Sequence, residues 1–129
     1  MVSKARIIIG SNYGDEGKGT VTAHYTKNSF GTVLNVLTNG GAQRGHSIIS
    51  DHGSHTFKHF GSGTYHGASS YCSRFFILNP MQFVKEWDEL IIKPSFVYRH
   101  TDCMWSTPYD MVANSIIEEQ KGSHASCQM

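Results

Sequence analysis

Charge and long apolar runs are what this chain has least of. Charged residues make up 16% of its 129, the net charge is +1 with histidine neutral, and no cluster of lysine and arginine occurs. Nucleic-acid binding therefore has little support, because a phosphate-backbone surface needs gathered cations. Lys4 and Arg6 precede only a short apolar stretch, Ile7-Ile8-Ile9, too brief for a signal sequence or a membrane span. Cysteine is scarce as well. Cys72, Cys103 and Cys127 show no metal-ligand spacing and cannot all pair, which suits a reducing compartment and makes the cytoplasm the default. Histidine is plentiful, with His52, His55, His59 and His66 crowded into one region, but glycine and serine intervene and no tight zinc pattern forms, so no zinc is expected. No internal repeat, low-complexity tract or linker divides the chain, and residues 1–129 read as one α/β unit long enough for a real core.

What is present is a glycine-rich turn in a telling place. Gly14-Asp15-Glu16-Gly17-Lys18-Gly19-Thr20 follows the apolar run at 7–10 and precedes a helical stretch. A strand running through such a turn into a helix points backbone N–H groups and a helix N-terminus at a bound phosphate, and Lys18 can add a point charge. The segment departs from the common lysine-hydroxyl pattern, since Gly19 rather than serine or threonine follows the lysine. Asp15 is then the candidate oxygen ligand for magnesium, which favours one carboxylate plus substrate phosphates. Other roles remain open for these side chains. Asp15 could cap the following helix, and Lys18 could be a solvated helix lysine.

A second cluster, Asn39-Gly40-Gly41-Ala42-Gln43-Arg44-Gly45-His46-Ser47, follows the strand-like residues 32–38. Ligands of open α/β sheets bind outside the carboxyl ends of strands, so the two loops are expected to share one ligand. His46 alone would read as a hydrogen-bonded loop histidine.

On these two motifs the chain resembles the N-terminal portion of the adenylosuccinate synthetase family, whose GDEGKG loop is followed by a GG-x-N-x-GH-T loop. His59-Phe60-Gly61-Ser62-Gly63 is similar to the family's HL-x-PSG stretch, and Asn79-Pro80 again leads into a helix. The resemblance implies a P-loop NTPase-like α/β fold with a mostly parallel central sheet flanked by helices, here an incomplete domain. It implies a GTP-dependent ligase that joins IMP and L-aspartate, with Mg2+ as cofactor and a homodimeric parent. Asp15 is implied as general base and metal ligand, His46 as general acid, Lys18 as the cation on the phosphates, and the Gly45 carbonyl as a second metal ligand. Gly14, Asp15, Glu16, Gly17, Lys18, Gly19 and Thr20, with Gly45, His46 and Ser47, are implied to contact GTP. Asp15, Glu16, Gly17 and Lys18, with Gln43, Arg44, Gly45 and His46, are implied to line the IMP side.

The departures are specific. Gln43 replaces the family's asparagine and Arg44 a small residue, so acceptor preference is open to change. A viral branch of the family uses dGMP and can lose the loop aspartate; retention of Asp15 favours IMP. The chain is well under half of a typical member, and residues 122–129 fall where the family has a threonine-rich IMP loop. A fragment, inactive alone, is therefore expected, with poor solubility or dimerisation from its uncovered sheet. A non-catalytic nucleotide-binding module and another P-loop ligase or ATPase stand as alternatives.

Pattern and punctuation predict the remaining elements. Strands are expected at 5–10, 32–38, 73–78 and 95–100, helices at 17–27 and from Pro80 and Pro108, an irregular or hairpin region at 47–60, and a turn at Gly61-Ser62-Gly63. Asn79-Pro80 is a helix start by capping, with Phe83, Trp87, Leu90 and Ile91 on its buried face and Lys93-Pro94 as its stop. Met111, Val112 and Ile116 are expected to form the buried stripe of the last helix, with Asp110 near its positive end.

Overall fold

The computed structural model describes residues 4–12 and 14–121, and the cysteine at 127 and the expected IMP-loop equivalent at 122–129 lie outside them. The centre is a parallel three-stranded sheet in the order β1 (Leu34–Leu37), β4 (Ser69–Cys72), β6 (Val97–Arg99). Its ladder sets Val36 beside Tyr71 and Tyr71 beside Tyr98. An antiparallel hairpin, β2 (His46–Ser50) with β3 (Gly53–Phe57), and a small parallel pair, β5 (Ile77–Leu78) with β7 (Met104–Trp105), complete the strands. Helices α1 (Lys18–Lys27), α2 (Pro80–Glu89) and α3 (Pro108–Lys121) alternate with them, and α1 packs on β2 and on the short 3-10 turn Thr64–His66.

The helices start where their punctuation places them. The Asn79 side chain accepts the Gln82 N–H at 3.0 Å, capping α2 with proline in its first turn. In the first turn of α3, the Asp110 carboxylate accepts from both the N–H and the hydroxyl of the preceding Thr107, each at 2.7 Å. The core lies between α2, the hairpin and the 3-10 turn: Ala23, Ile48, Phe57, Phe60, Tyr65 and Leu90 cluster with Phe83 and Trp87 against them. Phe83 also touches a second cluster of Leu37, Cys72, Phe76, Leu78 and Cys103.

Several expected elements differ. Residues 5–10 form no strand, and Ile7 and Ile9 are 89% and 81% exposed, because no described strand lies alongside to take their hydrogen bonds. The strand expected at 73–78 is a turn followed by β5, and the central strand β4 comes just before it. Ser69-Ser70-Tyr71-Cys72 has no β-branched residue to announce it. Its small side chains are needed because the 61–63 turn sits directly on them: the Ser70 hydroxyl accepts the Gly61 N–H at 2.9 Å. A Cβ at Gly61 would lie 2.3 Å from the Asn35 Cβ, and one at Gly63 would lie 2.3 Å from the Thr26 hydroxyl, so both glycines are demanded by close approach. α2 ends at Glu89, short of Lys93-Pro94, and Ile91 is exposed rather than packed. The expected stripe on α3 is not buried either, with Val112 and Ile116 more than half exposed. One sheet face carries Leu34, Val36 and Tyr98 in the open, whereas parallel sheets ordinarily bury both faces.

Candidate functional site

The first loop is shaped by its own carboxylate. Glu16 Oε1 accepts the N–H groups of Asn12, at 2.9 Å, and Gly14, at 3.2 Å, while Oε2 takes a short contact from the Lys18 ammonium. The Lys18 bond, then the Asn12 N–H, hold the Glu16 carboxyl down at about 2, so it stays ionised throughout the ordinary pH range. Gly14, Asp15 and Gly17 all have positive φ, at 126°, 55° and 79°. Asp15 is the one non-glycine residue among the described residues to do so, a conformation costing of order 1–3 kcal/mol that surrounding structure must impose. Gly17, without a side-chain cap, occupies the N-cap of α1, so the capping role open to Asp15 is not the one it plays. The amides of the first turn of α1 are left without intrahelical acceptors.

The second loop meets the first through Gly19. A Cβ there would lie 2.7 Å from the His46 Cβ, too close for any side chain. This contact explains why glycine, not a hydroxyl residue, follows Lys18. Asp15, Glu16, Gly17, Lys18, Gly19 and Thr20 line one side of a cavity of about 210 Å³, and His46 and Ser47 close the other. Burial, then the cations of Arg44 and Lys18, lower the pKa of His46 from its ordinary value. Ser47 shares a hydrogen bond of 2.9 Å with the Thr56 hydroxyl across the hairpin.

Gln43, Arg44 and Gly45 open instead onto a neighbouring cavity of about 350 Å³, shared with Ala42, Lys58, Asn79, Gln82 and Met111. The Arg44 guanidinium is half-turned inward: Nε donates to the Lys58 carbonyl at 2.8 Å and an Nη to the Phe60 carbonyl at 3.0 Å, and it lies 5.4 Å from the Phe76 ring centroid. Burial lowers its pKa to about 10, against the charge of Glu86, which raises it. Gly14 flanks the first cavity without lining it.

The sequence profile of the adenylosuccinate synthetase family matches residues 7–127, nearly the whole chain. This chain belongs to the adenylosuccinate synthetase family. An adenylosuccinate synthetase of Thermoplasma acidophilum is 30% identical over 83 residues, covering 64% of this chain and 18% of the relative. One from a strain of Dehalococcoides mccartyi is 28% identical over 120 residues, covering 90% of this chain and 28% of that protein. The fully ligated adenylosuccinate synthetase of Plasmodium falciparum superposes with a TM-score of 0.76 over 87% of this chain and 26% of its own, at 20% identity, so the fold is shared. The chain thus spans roughly a fifth to a quarter of the length of these family members.

Asp15, in the first cavity, and the main chain at Gly45, which lines the second, offer oxygen donors of the hard type that magnesium takes, and the exposed Asp15 carboxylate is free of any helix cap. The residue types therefore fit the ion. Among the described residues no group of three or more histidine, cysteine, aspartate and glutamate side chains is arranged to hold a metal. His59 is buried against Glu86, and His52 meets the Tyr65 ring edge-on while His55 lies tilted beside it. No helix among the described residues is long and apolar enough to cross a membrane.

Two carboxylates have roles in the structure that the sequence pattern does not announce. Glu16 acts inside the loop as its organiser, which spacing alone does not reveal. Glu86 is buried on the apolar side of α2, three residues after Phe83 and four before Leu90, where a charge on an otherwise apolar stripe is the available signal.

Proposed function

We propose that this chain is the nucleotide-binding part of a GTP-dependent ligase that joins IMP and L-aspartate. The observation that carries the reading is the cavity between residues 15–20 and His46-Ser47 in a member of this family. The first-turn amides of α1 and the Lys18 ammonium are suited to the β- and γ-phosphates of GTP, and Gly14, Thr20, Gly45 and Ser47 to its flanks. Mg2+, held by Asp15 and the Gly45 carbonyl, would neutralise phosphate charge. Asp15, beside Glu16 and Gly17 in the first cavity and with Gln43 and Arg44 in the neighbouring one, takes the N1 proton of IMP, so that electron density moves onto O6. O6 then attacks the γ-phosphorus, GDP departs, and the amine of aspartate displaces phosphate from C6.

His46 serves as the acid beside the departing GDP. Its pKa is lowered by burial and by neighbouring cations, and a bound polyphosphate opposes those cations, drawing the pKa back up as substrate arrives. The reading is of the whole enzyme, for which a cytoplasmic homodimer is the expected setting. Arg44 and Gln43 favour one second reading, a shifted acceptor such as dGMP, because both face the second cavity.

The test is GDP formation by the parent with GTP and aspartate and either IMP or dGMP, alongside Mg·GTP titration of the 129-residue chain. Asp15→Asn is expected to abolish turnover in the parent while retaining much of the GTP affinity. Unchanged turnover removes Asp15 from the mechanism, and a chain with no GTP affinity refutes the nucleotide site.

A further inference from the structure

Glu86 lies on α2 and lines neither cavity, yet its carboxylate closes a chain of contacts that ends in the second loop. Oε1 accepts the Lys58 N–H at 2.8 Å, and Oε2 accepts the His59 N–H at 2.7 Å and the His59 ring Nδ1–H at 3.3 Å. The other ring nitrogen, Nε2, accepts the Asn79 N–H at 3.1 Å, which leaves the ring proton on Nδ1 and fixes the tautomer that Glu86 binds. The same short stretch of backbone presents the carbonyls of Lys58 and Phe60 to Arg44 at 2.8 and 3.0 Å. Arg44 sits between Gln43 and Gly45-His46, whose side chains and main chain border both cavities.

Burying a carboxylate is costly unless every lone pair has a purpose. Here two consecutive N–H groups are pinned, which sets the planes of their peptides and with them the carbonyls near by. A planar guanidinium can bond two acceptors at once only when their spacing is held. We propose that Glu86 is a positioning residue for the nucleotide site, acting through His59, the backbone of residues 58–60 and Arg44 to set the path of residues 43–46. The inference rests on reading the cavities as a nucleotide site. It adds a residue remote from the phosphate loop to the machinery that shapes the acceptor side.

The test uses the 15N-labelled 129-residue chain, with amide spectra, the His59 ring-nitrogen signature and Mg·GTP titration read together. Glu86→Gln leaves one acceptor oxygen for donors that now share two. It is expected to alter the His59 tautomer signature and to displace the amide signals of residues 40–47 along with those of 58–60, while α3 keeps its signals. Arg44→Lys, which cannot fork between two carbonyls, is expected to displace the same two segments and leave the His59 signature intact. Mg·GTP affinity falls on the order of tenfold or more in both variants, the scale of a misplaced binding group. If Glu86→Gln moves the signals of 58–60 and leaves 40–47 in place, Glu86 is only a packing residue and the proposal is wrong. Should Glu86→Gln fail to fold, Arg44→Lys decides: unmoved signals in both segments overturn the proposal. A wild-type chain that takes up no Mg·GTP refutes the site reading instead, and the loop displacements still decide whether Glu86 sets the loop.

Discussion

Placing a methyl group on Gly19 tests whether the two loops meet as described. A Cβ at this position would stand 2.7 Å from the His46 Cβ, 3.2 Å from its Cγ and 3.5 Å from its Cα. Carbon atoms prefer about 3.5–4.0 Å, so His46 or the first turn of α1 has to retreat by roughly 1 Å. Two effects then oppose each other. Alanine in place of glycine favours a helix interior by about 0.8–1.0 kcal/mol, and less at this first-turn position, whereas overpacking costs typically 1–3 kcal/mol. For Gly19→Ala the balance is a net destabilisation of about 0–2 kcal/mol. Because the strain falls on the wall of the phosphate cavity, the loss in Mg·GTP affinity should exceed what stability alone accounts for. Urea denaturation and nucleotide titration of the same preparation measure both. A variant that gains about 1 kcal/mol, the helix-propensity value, and binds nucleotide as before would refute the contact and with it the reason for glycine after Lys18.

Three further outcomes follow from the core and the open face. Burial would raise the Glu86 pKa from its ordinary 4.5, but the His59 ring and the N–H groups of His59 and Lys58 outweigh burial and lower it. Glu86 therefore stabilises the fold fully above the ordinary carboxylate range, and the contribution is lost as pH falls through the lowered value; with His55, His59 and Arg44 facing the carboxylate, Glu86→Gln should flatten the acid limb of a stability–pH curve. Asn35→Ala leaves the buried Gly63 N–H, now bonded to the Asn35 side chain at 2.8 Å, without a partner, and should lower stability by about 1–3 kcal/mol in denaturant. Val36→Lys on the open sheet face, where Val36 is 53% exposed, should leave stability within about 0.5 kcal/mol but reduce self-association in sedimentation; a wild-type chain that stays monomeric at high concentration contradicts the uncovered face.

Much of this fold is written in local chemistry. α1 and α2 start at their glycine and asparagine caps, and the hairpin at 46–57 lies where glycine and polar residues interrupt short apolar alternations. β4 is hard to read because Tyr71 is its one residue of high β-propensity, set between serines that speak for a turn. Residues 5–10 mislead for the opposite reason: an apolar run has strand character, yet a strand needs a neighbour. The stripe of α3 is equally real as a pattern, but periodicity says which side is apolar and not what covers it. At the site, the motifs identify Asp15, Lys18 and His46, and the structure brings their loops to one cavity. The same motifs say nothing of Glu86, because a buried carboxylate is made tolerable by backbone donors from another element, and those exist only once the chain has folded.

The Glu16 carboxylate gives the phosphate loop a resident counter-ion. Lys18 is already paired with Glu16, so on the proposed reading nucleotide binding at this loop would be an exchange of one anion for another rather than capture by a bare cation. A polyphosphate has to surpass an intramolecular competitor present at high effective concentration. Less counter-charge is then released per bound nucleotide than the count of cations suggests, and the affinity should respond weakly to salt. On the same reading, small anions, which cannot also engage the helix amides and His46, would be left at a disadvantage, and the loop would discriminate by ligand size before any base is read.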